Sequence, residues 1–214
     1  MPTDAERFSE SNVLNSVALY LASKLFAAGY LVYWHKRDAV QINTSSTGWY
    51  LTYSANRATY LADPTFAAAY AAAKGLVTFV DTIPAVPRFI TRLTDDTSVG
   101  PADAVPVPAM AIALGAPVPL AQVEIGTKTK WRTRHLMIDS YTRTTDEQGL
   151  FKDALANWLD ENTILAIADH DAGTLAVVGS VEVLDSTVAS ARVVDRAEAV
   201  TYEVLLNARL EYAA

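Results

Sequence analysis

The chain contains no cysteine. That excludes disulfides, thiol nucleophiles and cysteine-ligated metal centres. Charge is also scarce: 19% of the 214 residues are charged, against about a quarter in an ordinary soluble domain. The net charge is −7, so non-specific adhesion to nucleic acid or anionic membrane is not expected outside a local basic patch. Every apolar run is broken by proline or charge well short of the roughly 20 residues a membrane span needs. The opening MPTDAERFSESN has neither a basic nor an apolar segment, so no signal peptide is visible. A soluble chain made in a cytoplasm is the expectation. GxGxxG, GxxxxGK[ST], GxSxG and HExxH are all missing, and no cofactor is expected.

What is present is a large apolar fraction, 51%, enough to bury a substantial core. SNVLNSVALYLASKLFAAGY repeats Leu14, Val17, Ala18, Leu21, Leu25 and Ala28 at helical spacing, with Ser9 or Ser11 as cap and Gly29 as stop. YLVYWHKRDAVQINT and GWYLTYSANRATYLAD read as extended. DPTFAAAYAAAKG reads as a short helix, with Pro64 in its first turn. LVTFVDTI and PRFITRL read as strands.

Residues 95–119 carry five of the nine prolines. This composition predicts a long arm or loop, with one short apolar element at Met110–Leu114. A strand over about 122–142, a helix over about 146–161 with Thr145 as cap, and a strand TILAIAD follow. TLAVVGSVEVLD and STVASARVV read as a hairpin turning at Asp185–Ser186. VTYEVLLNARLEY alternates strictly, apart from Leu205. The expected fold class is α+β: a mixed, largely antiparallel sheet, helices packed on one face, and a long Pro-rich arm.

Histidine is the first place to look for chemistry, and there are three. Asp169, His170 and Asp171 are adjacent at a strand end. Adjacent residues on an extended segment point to alternating sides, so a polar turn explains them better than a metal or general-base site. Trp34, His35, Lys36, Arg37 and Asp38 could grip a nucleic acid, but read more simply as a strand entering a charged turn. Trp49, Tyr50 and Tyr53 are aromatics available to a glycan or small molecule. Trp158, in the apolar stripe Leu150, Phe151, Ala154, Leu155, Trp158 and Leu159, reads as core.

The strongest pattern is cationic. Lys128, Lys130, Arg132 and Arg134 fall on every second position of a strand, in register with Leu136 and Ile138. Four like charges about 7 Å apart repel, which is tolerable only in water or against anions. The stripe is therefore either a solvated strand end or a partner-binding surface for an acidic protein or DNA phosphate.

Three features together carry a family resemblance. They are the first helix on SNVLNSVALYLASKL; the unit RTRHLMIDSYTRTTDEQGLFKDALANWLDE, in which a strand ending in Tyr141 and Arg143 leads through a polar turn to a helix; and the long alternating strand YEVLLNARLEY. In these the chain resembles the tail terminator (tail completion) proteins of tailed bacteriophages and, more loosely, the neck and head–tail joining proteins. The resemblance covers the first helix and about 120–214. It implies one domain over 1–214, with 49–120 an inserted elaboration that includes the extended arm 95–119. It further implies a non-enzymatic virion structural protein that forms a ring, a homo-hexamer, ending the tail and joining it to the neck and head. Its partners would be copies of itself, tail tube and neck or connector proteins, with DNA passing nearby in the channel and no membrane. It would be assembled in the host cytoplasm and reside in the tail or neck. Other tail or baseplate assembly roles, or a glycan or small-molecule binding module, remain open.

Overall fold

A computed structural model describes residues 10–34, 39–41, 51–52, 64, 68, 71–80, 88–90, 104–106, 108–117, 121–122, 130–169, 176–194 and 200–213. The first helix, α1 (Glu10–Ala27), buries Val13, Val17, Ala18, Leu21 and Leu25 along one stripe. It ends where the sequence places its stop. Gly29 adopts φ +93°, donates its N–H to the Phe26 carbonyl, and accepts from the Lys74 N–H. A side chain at that φ would be strained.

The strands follow as β1 (Tyr30–Trp34), β2 (Ala39–Gln41), β3 (Leu51–Thr52), β4 (Gly75–Val80), β5 (Arg88–Ile90), β6 (Ala104–Pro106), β7 (Ala109–Pro117), β8 (Ala121–Gln122) and β9 (Lys130–Thr142). Helix α2 (Thr145–Trp158) then leads to β10 (Ile164–Ala168), β11 (Val177–Val194) and β12 (Val200–Ala213). Ten strands form one sheet ordered β10-β11-β12-β9-β7-β4-β1-β2-β3, with β8 paired to β9 off that path; β5 and β6 pair separately. The pairs β1–β4, β4–β7 and β5–β6 are parallel, and the others are antiparallel. This is the α+β class, a mixed sheet with α1 and α2 on one face.

The core lies between that face and the helices. Val204, Leu206, Ala208 and Leu210 of β12 meet it, beside Leu136 and Ile138 of β9, Met110 and Ile112 of β7, and Val77 and Phe79 of β4. From α2 come Phe151 and Leu155. Each such side chain contributes about 1.5–3 kcal/mol by leaving water. Trp158 packs at the margin, half-buried, and its carbonyl accepts the Tyr20 hydroxyl at 2.8 Å.

The hairpin at Asp185–Ser186 does not exist: β11 runs unbroken for 18 residues, and its Glu182–Val194 part, which includes both residues, pairs with β12. The turn-like residues mark a bulge between Val183 and Asp185, where Asp185 bonds Arg209 at 2.7 Å. The apolar element at Met110–Leu114 belongs to a nine-residue strand, β7, in the middle of the sheet. Prolines flank that run and leave its interior free to donate. Of the expected arm 95–119, β6 pairs with β5 and β7 lies in the main sheet, while 95–103, 107 and 118–119 lie outside the described residues. Strands β4 and β7, from the 49–120 segment, lie between β1 and β9 in the sheet.

The strand expected over 122–142 begins its long pairing at Lys130, and the cap of α2 is Thr144, not Thr145. The Thr144 hydroxyl oxygen accepts the Glu147 N–H at 3.2 Å, while the Glu147 carboxylate accepts the Arg143 N–H at 3.0 Å. That is a capping box displaced by one residue. Of the helix expected at DPTFAAAYAAAKG, Pro64, Ala68, Ala71 and Ala72 are helical, and Ala73 and Lys74 bend into β4 at Gly75. Among the described residues, no helix is long and apolar enough to cross a membrane.

Candidate functional site

Strand β9 carries the cationic positions, and the sheet fixes where they stand. The backbone of Lys130 pairs with Gln122 of β8, and Arg132 pairs with Tyr212 of β12. Arg134 pairs with Leu210 of β12 and Pro117 of β7. The segment expected to extend past the sheet is thus laddered into it. Lys128 lies outside the described residues.

Arg134 departs furthest from expectation. Its side chain is only 12% exposed. Directly across the ladder is the fully buried Leu210. Its Nη1 donates to Glu10 Oε2 of α1 at 3.3 Å and to the Gly115 carbonyl of β7 at 3.3 Å. Its Nε is buried without a partner. The guanidinium ties the start of α1 to the sheet, with Leu210 opposite it on the β12 ladder. These contacts hold Arg134 within the fold.

Helix α2 sits on β9, β11 and β12, and one side chain does much of the positioning. Gln148 Nε2 donates to the carbonyls of Ala191, at 2.9 Å, and Glu203, at 2.8 Å. These two residues face each other across the β11–β12 ladder, so the amide clamps the helix to both strands. Thr142, fully buried, donates its hydroxyl to the Tyr202 carbonyl at 3.1 Å.

Beside this unit runs an apolar groove of ≈ 140 Å³ between the end of α1, the start of β1 and α2. Leu25, Tyr30, Phe151 and Trp158 line it, with Lys74 and the exposed Leu150 at its edge. The Tyr30 and Phe151 rings meet edge to face, with centroids 5.9 Å apart. Desolvation raises the Tyr30 pKa, with the Glu147 charge adding to it.

The opposite face of the sheet holds a network that no sequence pattern announced. The Tyr141 hydroxyl lies 3.0 Å from Asp139 Oδ2 and 3.3 Å from Glu203 Oε1. Tyr141 is buried, and Asp139 Oδ1 is buried without a partner. Burial pushes Asp139 up to about 7, the adjacent Glu203 carboxyl pushes the same way, and the tyrosine hydroxyl opposes them. Burial, then the charges of Asp139 and Glu203, raise the Tyr141 hydroxyl, so it stays protonated. The alternation of β9 places Asp139 and Tyr141 on one face, but only the register against β12 brings Glu203 to them.

Asp169 N–H bonds the Ala176 carbonyl. His35, His170, Asp171, Trp49, Tyr50 and Tyr53 lie outside the described residues, and His135 is exposed on β9. Among the described residues, no three His, Asp or Glu side chains cluster as metal ligands do. No protein-family model and no curated protein matches the chain.

Proposed function

We propose that the chain is a virion structural protein of tailed phages that forms a ring ending the tail and joining it to the neck. The observation that carries this reading is the packing of the three stretches in which the resemblance lies. The first helix, the strand–turn–helix unit and the last strand are α1, β9–α2 and β12. They form one contiguous block: α2 lies on β9 and β12, which pair with each other, and Arg134 links β9 to α1. Supporting it further, the sheet ends in edge strands, β10 and β3, of the kind that pair across subunits. Ring closure would repeat one heterologous contact around an axis.

In this reading the role is non-enzymatic, and the ring is a hexamer in the tail or neck, contacting tail tube and connector proteins. Lys128, Lys130 and Arg132 are the cations proposed to meet an acidic neighbour or channel DNA, while Arg134 bonds Glu10 and the Gly115 carbonyl within the fold. Light scattering of the purified chain at micromolar concentration tests the ring: a hexamer mass is expected, and a strict monomer counts against it. Charge reversal of Lys130 and Arg132 together should block tail joining while leaving the fold intact. Normal joining by that double variant would return the stripe to a solvated face.

A further inference from the structure

We infer that Asp139 and Glu203 share one proton at neutral pH through Tyr141, and that its loss loosens the β9–β12 seam and adds a negative charge to the sheet's outer face.

The argument starts from hydrogen counting. One tyrosine hydroxyl stands within hydrogen-bond distance of two carboxyl oxygens, at 3.0 and 3.3 Å. A hydroxyl has one hydrogen to donate and lone pairs to accept with. It satisfies both contacts only if it donates to one carboxylate and accepts from the other, protonated, carboxyl. With both carboxyls ionised, one hydrogen serves two anions. Asp139 then carries its charge partly on Oδ1, which is buried and has no partner.

The described residues around the two carboxyls are mostly apolar or uncharged. Opposite Tyr141 are Ala109 of β7 and Glu203 of β12; opposite Asp139 are Ala111 and Leu205. Across from Glu203 and Leu205 on β11 are Ala191 and Ala189. Along β9 the next outer-face residue is Met137, followed by the exposed His135; along β12 come Asn207 and then Arg209, which is held by Asp185. In the other direction the exposed Arg143 follows β9 two residues beyond Tyr141; among the described residues, β7, β9, β11 and β12 themselves turn no cation toward the pair. Two carboxyls confined together without a cation do not both ionise at the ordinary pH. The raised pKa of Asp139, about 7, agrees with this.

The direction follows. The folded pKa lies above the unfolded value of about 3.9. The protonated network therefore stabilises fully at acid pH, and its contribution is lost as pH climbs through about 7.

A carboxyl carbon NMR titration of the intact chain, with Asp139 assigned, tests the inference without any mutation. A midpoint above about 5 upholds it, whereas a midpoint below that, in the ordinary aspartate range, overturns it. Urea unfolding from pH 5 to 8.5 gives a second reading. The wild-type midpoint should fall with rising pH, and Asp139→Asn should flatten that fall, as should Glu203→Gln. An unchanged pH slope in both variants would refute the shared proton.

Discussion

Arg134 separates an internal from an external use of the cationic strand, and replacing it in two ways tells them apart. Its side chain is 12% exposed, but that of its partner Glu10 is 57% exposed. Arg134→Met removes a pair whose other member returns to water, a loss of about 0–1 kcal/mol. It also removes a hydrogen bond to the Gly115 carbonyl, worth about 1 kcal/mol. Against these, it keeps the apolar stem beside Leu210 and relieves the partnerless Nε. The net change should lie within about 1 kcal/mol. Arg134→Glu instead puts a carboxylate at a largely buried point facing Glu10. An uncompensated buried charge costs about 3–5 kcal/mol. Urea unfolding at pH 7 measures both variants. If the glutamate variant is as stable as the methionine variant, Arg134 lies in water and belongs to the docking stripe. The same numbers show why charge reversals aimed at docking belong at Lys130 and Arg132: a reversal at Arg134 would confuse lost binding with lost folding.

Two further substitutions check the local physics. Gly149 lies inside α2, and a Cβ there meets no atom within 4 Å; Gly149→Ala should therefore raise stability by about 0.5–1 kcal/mol in urea unfolding, and a loss would mean the helix differs from this description. Ser16 is buried, and its Oγ accepts the Ala168 N–H at 2.9 Å, covering one end of edge strand β10; Ser16→Ala should cost about 1–3 kcal/mol and speed amide exchange at Ala168, and unchanged exchange would contradict that cover.

What the sequence revealed tracks how local each cause is. The stripe Phe151, Leu155, Leu159 and the alternation of β12 are set by residues a turn or two apart, so α2 and β12 were legible within a few positions. Gly29 was legible because a left-handed residue after a helix has few occupants. The hairpin misreading came from Asp185 and Ser186, whose turn-like character instead serves a bulge anchored by Arg209. Strand β7 was hidden because proline was counted over a long window. The prolines flank a run, Ala109–Ala116, that contains none, and its pairing partners come from β4 and β9. The Arg134–Glu10 contact spans 124 residues of sequence and Tyr141–Glu203 spans 62. Neither leaves a local pattern, because sheet register and helix docking create them.

The central claim is that this chain ends a phage tail and joins it to the neck. Electron microscopy of particles assembled after removal of its gene tests that most directly. The account predicts tails of uncontrolled length that carry no heads. Headed particles with tails of normal length would contradict it.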